Sequence, residues 1–259
     1  MALSRVHPTA VVDPGAKLAD DVSLGPYTVV GEGVELAAGV EVGSHVILVG
    51  RTTVGPRTRI FPFSVIGEAP QVQGVEGETS LHIGADNVIR EYASIHAGSS
   101  IGVGSTTLGD GNFILNNVHI AHDCQVGSHC IIASFSAMAG HVVVEDFAVL
   151  GAMVGIHQFC RIGESSFTGA STKLSKDVPP FSRVMGDRAR FAGLNAVGLK
   201  RRGFAPEKIA ELKHALHLLY HSKLRLEPAM KRVEEECAGS PEVERLLQFL
   251  RSSRRGVTR

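Results

Sequence analysis

Four histidines in the middle of the chain have the type and spacing that chemistry requires. His119 and His122 lie in the segment HIAHDC (residues 119–124), and His141 and His157 follow downstream. Histidine exchanges a proton near neutral pH, so a histidine next to a carboxylate such as Asp123 suits general-base catalysis. Neutral histidines are also zinc ligands. The repeat that contains these residues decides which way they point.

An aliphatic residue recurs at every sixth position from Leu108 to Ile162, and the fourth residue after most of them is small or β-branched. The same period runs from Val6 to Ile66, resumes from Ile83 to Ile101 and then slips by one residue. Two inward positions in six residues do not form the apolar stripe of a helix. They are typical of a parallel β-helix, in which short strands stack coil on coil. The sequence therefore predicts a mainly β protein.

None of the four histidines takes an inward position on this six-residue grid. If three hexads complete one triangular coil, the hexads that begin at positions 120, 138 and 156 share one face of successive coils. His122, His141 and His157 then stack along one outer wall. His119 lies at the edge of that wall. Three histidines beside Asp123 favour a functional site over solvated surface side chains.

Composition narrows the possible functions. The 26 acidic and 26 basic side chains balance, so no global field favours nucleic acid. The chain shows no signal peptide and no run of roughly 18 apolar residues, so we expect no integral membrane segment and a cytoplasmic protein. No C-x-x-C pair is present. The cysteines Cys124, Cys130 and Cys160 fall on the small inward position and are predicted to fill the core.

Breaks in the period divide the chain. Residues 68–81 carry no repeat, and an insertion in a solenoid maps to a loop on one face, often the binding face. The pair Pro179–Pro180 ends the repeat, and helical spacing follows Arg188. Pro206 and Ser240 mark helix starts. We predict a β-helix at residues 1–187, with a loop excursion at 68–81, and a helical domain at 188–259.

Short motifs along nearly the whole chain carry a family resemblance. They are HPTA near the N-terminus, IRE (89–91), HIAHDC, AGH (139–141), HQFC, DVPP and GLKRRGF. In this order and spacing they resemble the bacterial UDP-N-acetylglucosamine O-acyltransferases, which begin lipid A synthesis. The resemblance implies a left-handed parallel β-helix with a C-terminal helical domain, assembled as a homotrimer with clefts between subunits. It implies transfer of an (R)-3-hydroxyacyl group from acyl carrier protein to the sugar 3-hydroxyl, without coenzyme or metal.

The resemblance also implies roles for individual residues. His122 is the implied general base, Asp123 orients it, and the backbone N–H of Gly140 stabilises the oxyanion. Further implied roles are substrate binding by His119, His141, His157 and Gln158, binding of the nucleotide part of the substrate by Asn195, Arg201 and Arg202, and selection of acyl length by Ala170 with Phe167 nearby.

Two departures from the family pattern concern the acceptor. The family has Asp and Lys in the loop where this chain has Val72 and Gly74, and the loop also carries Glu76 and Glu78. The family Glu after the C-terminal Asn is Val197 here. The same mechanism acting on a 3-amino sugar nucleotide, to give an amide, is therefore an open alternative.

Three other interpretations stay open. The N-acyltransferase later in the same pathway normally has an extra N-terminal domain, whereas the repeat here starts at Val6. A zinc enzyme similar to the β-helical carbonic anhydrases would use His119, His122 and His141 as ligands. A non-catalytic solenoid scaffold would give no reason for the wall of histidines.

Overall fold

Short strands wind into a left-handed parallel β-helix of triangular section in the computed structural model, which describes residues 5–73 and 77–259. Its three sides are sheets that we call A, B and C. Sheet A contains Arg5–Val6, Ser23–Leu24, Glu41–Val42, Arg59–Ile60, Val88–Ile89, Phe113–Ile114, Ile131–Ile132, Val149–Leu150, Phe167–Thr168, Ser182–Met185 and Arg190–Leu194. Sheet B contains Val11–Val12, Val29–Val30, Ile47–Leu48, Val65–Glu68, Ser94–His96, His119–Ile120, Ala137–Met138, Gly155–Ile156 and Lys173–Leu174. Sheet C contains Lys17–Leu18, Glu35–Leu36, Arg51–Val54, Ser80–Ile83, Ser105–Leu108, Gln125–Val126, Val143–Val144 and Arg161–Ile162.

The six-residue period is a two-residue strand followed by a four-residue corner. The second strand residue points inward, so Ile114 and Ile120 are fully buried. The fourth corner residue also points inward, and the prediction that Cys124, Cys130 and Cys160 fill the core is confirmed. The third corner residue has a positive φ, which costs about 1–2 kcal/mol for a non-glycine residue. Backbone hydrogen bonds between successive corners help to offset that cost.

The turns that lead from sheet B to sheet C form one edge of the prism, which we call the B–C corner. Two of these turns are enlarged, namely the loop that joins Glu68 to Ser80 and the loop 97–104 that precedes Ser105. The excursion predicted from the broken period therefore lies on the same edge as the histidine segment. The expectation that Ile101 is an inward repeat residue is wrong. Ile101 is 71% exposed, because the chain leaves the period in loop 97–104.

Sheet A continues past the two prolines at which the sequence predicts that the repeat ends. Ser182–Met185 pairs in parallel with Phe167–Thr168, and Arg190–Leu194 then pairs antiparallel with Ser182–Met185. The predicted boundary between residues 187 and 188 falls in the turn between the last two strands. Proline removes a ladder donor, but Ser182–Met185 begins after both prolines and keeps its own N–H groups.

Four helices follow in the described part of the chain: α1 (Ala196–Arg201), α2 (Pro206–His221), α3 (Leu226–Glu236) and α4 (Pro241–Arg251). Their apolar faces form a second core, separate from the interior of the β-helix. The C-terminal tail returns to the β-helix, where buried Asp177 accepts a hydrogen bond from Ser253 Oγ at 2.7 Å. None of the four helices has the length and apolar character that crossing a bilayer requires.

Candidate active site

An open groove of about 1130 Å³ runs over the outer face of sheet B. His119, His122, Gly140, His157 and Gln158 line it where sheet B meets the B–C corner. The groove floor contains the small residues Ala137 and Gly155, which lie in register with His119 on neighbouring strands. The structure therefore brings five of the predicted site residues to one concave surface.

The side chain of His122 is held from behind by Asp123. His122 Nδ1 lies 2.7 Å from Asp123 Oδ2, and the Asp123 side chain is fully buried. Burial raises the pKa of Asp123, but hydrogen bonds from Ser99 and His122 lower it, and the resulting pKa lies below the usual range. An ionised carboxylate only accepts hydrogen bonds, so Nδ1 carries the proton and neutral His122 keeps its lone pair on Nε2.

Gly140 lies directly against the ring of His122. A methyl carbon at this position would lie 2.5 Å from His122 Cε1 and 2.6 Å from Nε2. Within the described chain nothing accepts a hydrogen bond from the Gly140 N–H. The close approach explains why glycine occupies this position. The Gly140 N–H is a free backbone donor beside the reactive nitrogen of His122.

His119 is fixed by its neighbours on sheet B. Ser94 Oγ lies 2.7 Å from His119 Nδ1, and the ring of His96 meets His119 edge-on at 5.3 Å. Burial and the nearby His96 lower the pKa of His119. His119 therefore stays neutral at neutral pH and offers a hydrogen-bonding edge to the groove.

His141 lies on the corner of the next coil. Its ring stacks flat on Phe159 at 4.5 Å and meets His122 perpendicularly at 5.1 Å. Burial lowers the pKa of His141, although Asp123 opposes that shift from 3.9 Å. Ligand atoms of His122, Asp123 and His141 lie within 4.8 Å of one another. That group does not include His119, so the structure does not assemble the three-histidine zinc set.

The loop that joins Glu68 to Ser80 contributes Gln71 to the groove. Its far end is tied down by an ion pair between Glu78 and Arg51. The sequence predicts altered acceptor contacts at Val72, Gly74 and Glu76. Gly74 and Glu76 lie outside the described residues, and Val72 is described but does not line the groove. Gln71 presents a neutral amide, which both donates and accepts hydrogen bonds.

The predicted nucleotide-binding residues lie at another edge of the prism, where sheet C leads to sheet A. Asn195 caps α1 through the Gly198 N–H and donates to Ser165 O at 2.9 Å. The Arg202 guanidinium lies 3.6 Å from the centre of the Phe147 ring. It also pairs with Glu164 at 3.0 Å. Within one chain these residues are therefore apart from the histidines.

Arg201 differs from its neighbour Arg202. It is exposed at the end of α1, and its side chain makes no hydrogen bond or ion pair to any described residue. Its guanidinium is therefore free to bind an anion. Val197, at the position of the family Glu, is 65% exposed on the same helix.

The predicted acyl-length residues also lie outside the groove of their own chain. Ala170 is exposed at the corner between sheets A and B, and Phe167 is half-buried on the outer face of sheet A. Both point outward, as the repeat predicts, but neither lines the groove that contains the histidines.

Two sets of residues at the site carry no motif in the sequence. Loop 97–104 reaches Asp123 through Ser99 and Gly104, and its only sequence signal is the one-residue slip of the period. The far end of the groove is lined by four cationic residues: Lys173, Lys176, Arg188 and Arg259. They come from separate segments, so no basic run in the sequence marks them.

Comparison with known proteins identifies the family. The family model described as "Udp N-acetylglucosamine O-acyltransferase; Domain 2" matches residues 177–258. The model of the bacterial transferase hexapeptide repeat matches residues 105–140. The acyl-[acyl-carrier-protein]–UDP-N-acetylglucosamine O-acyltransferases of Thermodesulfovibrio yellowstonii and Thiobacillus denitrificans are 44% and 47% identical, over 99% of this chain and 100% of each relative. The solved UDP-N-acetylglucosamine O-acyltransferase of Moraxella catarrhalis superposes with a TM-score of 0.94 at 36% identity, covering 98% of this chain and 100% of that one. The chain belongs to the UDP-N-acetylglucosamine O-acyltransferase family.

Proposed function

We propose that this protein transfers an (R)-3-hydroxyacyl group from acyl carrier protein to the 3-hydroxyl of UDP-N-acetylglucosamine, the first step of lipid A biosynthesis, in the cytoplasm. The observation that carries the proposal is the pair of His122 Nδ1 and buried Asp123 Oδ2, 2.7 Å apart, in a histidine that lines the groove. A sugar hydroxyl is a weak nucleophile and needs a base on its proton. Relatives with the same architecture are named for this reaction.

In the proposed mechanism His122 Nε2 removes the proton of the sugar 3-hydroxyl as its oxygen attacks the carbonyl carbon of the acyl thioester. The Gly140 N–H donates to the oxyanion of the tetrahedral intermediate. Asp123 stabilises the imidazolium that forms. When the carbon–sulfur bond breaks, the imidazolium returns its proton to the leaving thiolate. No coenzyme or metal has a part in these steps, and the core cysteines are inaccessible for a covalent intermediate.

The outer faces of the prism support a homotrimer. Sheet C presents mostly polar side chains: Lys17, Glu35, Thr53, His82, Thr107, Gln125 and Arg161. Sheet A presents an apolar row in register: Val88, Phe113, Ile131, Val149 and Phe167. The corner between A and B exposes five large apolar side chains: Tyr27, Phe63, Tyr92, Phe135 and Met153. Exposed apolar surface of this extent favours contact between copies.

Three copies arranged around the A–B corner would pack sheet A of one copy against sheet B of the next. The corner between sheets C and A of the first copy would then lie beside the histidines of the second. Arg201 and Asn195 of one copy would approach His122 of its neighbour, and Phe167 would face the neighbour's groove. This arrangement supports a site between subunits, in which each groove is only half of the pocket.

The cationic end of the groove supports an acidic donor protein. Lys176, Arg188 and Arg259 line it together with Lys173, which pairs with Asp187 at 2.7 Å. Clustered cations favour a partner with acidic side chains or a phosphate group, and they speed its encounter at low salt. Acyl carrier protein supplies the acyl thioester in the proposed reaction.

The central experiment is His122→Ala. We expect turnover to fall by about 10²–10⁴-fold with the trimer intact, as loss of a general base requires. The matched control is His82→Ala, which removes an outward, hydrogen-bonded imidazole from sheet C. Purified His122→Ala trimer with wild-type kcat would refute the proposal. Offering UDP-N-acetylglucosamine and its 3-amino analogue with one donor identifies the acceptor.

A further inference from the structure

Loop 97–104 replaces an ordinary four-residue turn at the B–C corner, directly below the turn that carries Asp123. The loop joins Ser94–His96 of sheet B to Ser105–Leu108 of sheet C. Its outer residues Ile101 and Val103 are exposed, whereas Ser99 is completely buried. The extra length therefore directs part of the loop inward, towards the carboxylate.

Three donors from this loop converge on Asp123. Ser99 Oγ donates to Oδ2 at 2.6 Å, and the Ser99 N–H lies 3.1 Å from each carboxylate oxygen. The Gly104 N–H donates to Oδ1 at 3.1 Å. Oδ2 also accepts the hydrogen bond from His122 Nδ1. Ser99 and His122 thus share one oxygen, so the position of the hydroxyl bears on the orientation of the imidazole.

The loop also fits Asp123 closely on its other side. A methyl group on Gly102 would overlap the carboxylate. The loop contributes no charged side chain, and within the described chain the titratable groups that face Asp123 are His122, His141 and the buried thiol of Cys124. A carboxylate removed from water needs hydrogen bonds to stay ionised. Among described residues the loop supplies all of these hydrogen bonds except the one from His122.

We infer that Ser99 is a positioning residue for the acyl transfer, because its hydroxyl and N–H hold Asp123 where it fixes the orientation and tautomer of His122. The inference rests on the proposed function. Ser99 does not touch substrate, so its effect passes entirely through Asp123 and His122. Loss of the hydroxyl removes one of the hydrogen bonds to Oδ2, which leaves Asp123 more basic and weakens the constraint on the general base.

The test is Ser99→Ala, compared with Ser136→Ala as a matched control. Ser136 is also buried, and its hydroxyl also makes hydrogen bonds, but to Gly151 O and the Val154 N–H. For Ser99→Ala we expect kcat to fall about 10- to 100-fold, the scale of one hydrogen bond to a charged group, with KM values unchanged. The acidic limb of kcat against pH should move to higher pH, because a more basic Asp123 favours the protonated imidazole. Ser136→Ala should move neither.

A double substitution separates this inference from the proposed function. In the His122→Ala background, Ser99→Ala should cause no further loss, since both act through one imidazole. A fully active His122→Ala enzyme would overturn the proposed function itself. An inactive His122→Ala enzyme with Ser99→Ala at wild-type kcat would overturn only the role of Ser99. If Ser99→Ala does not fold, Gly102→Ala provides the test, because a methyl group at this exposed loop position displaces the same carboxylate. A Gly102→Ala enzyme with wild-type kcat would overturn the inference.

Discussion

Replacing Gly140 with alanine is expected to abolish most of the activity without unfolding the protein. The new methyl carbon would lie 2.5 Å from His122 Cε1 and 2.6 Å from Nε2. Gly140 does not have a positive φ, so its backbone conformation accepts alanine. The conflict is therefore between the methyl group and the imidazole, and the imidazole has to move.

The geometry sets the size of the effect. Carbon atoms in contact prefer a separation of about 3.5 Å or more, so the ring has to retreat by about 1 Å. Retreat stretches the 2.7 Å hydrogen bond to Asp123 or presses the ring against His141, whose centroid is 5.1 Å away. A displacement of about 1 Å in a catalytic group can cost about 100-fold in rate. We expect kcat to fall by about that factor, with smaller changes in both KM values.

The assay is steady-state kinetics on the purified protein with acyl carrier protein as donor, together with thermal unfolding. Gly31→Ala is the control, because Gly31 lies at the same B–C corner near the N-terminus and a methyl group there meets its nearest atoms at 3.5 Å. The control should keep wild-type kcat. A Gly140→Ala enzyme within twofold of wild-type kcat would show that the close approach of Gly140 to His122 does not constrain catalysis.

Three further predictions follow from the same structure. Arg202→Ala should lower the free energy of unfolding by about 1–2 kcal/mol in denaturant titrations, because it loses the contact with the Phe147 ring. Arg201→Ala should leave stability unchanged and raise the KM for the sugar nucleotide. If Arg201→Ala lowers only kcat, its binding role is wrong. Ala170→Gly should shift the optimum towards longer hydroxyacyl donors in a series assayed at subsaturating concentration. The shift should be graded, because a pocket discriminates one methylene by only about 1–3 kcal/mol. An unchanged chain-length profile would exclude Ala170 as the residue that selects acyl length. Phe135→Asp should dissociate the proposed trimer and remove activity, as followed by light scattering, while Gln125→Asp on sheet C should do neither. A fully active monomer would contradict a site between subunits.

The sequence by itself determined the coil and the side to which each repeat residue points. A two-residue strand and a four-residue corner place every sixth residue inward, so the period alone predicted Ile114 inside and His122 outside. Because three hexads complete a coil, residues 18 apart stack on successive coils. The period therefore predicted the single wall that carries His122, His141 and His157. His122 and Asp123 are adjacent in sequence, so the hydrogen bond between them is a local contact that the sequence could indicate.

Only the tertiary structure decided which residues support and complete that wall. Ser99 reaches Asp123 through a loop that leaves the period, and loop conformation depends on contacts that spacing does not encode. Arg201 and Arg202 are neighbours in sequence, yet one is free and the other is held by Phe147 and Glu164, because the packing of α1 on the β-helix separates them. A repeat determines what recurs along the chain, whereas loops and helices bring together residues that are distant in sequence.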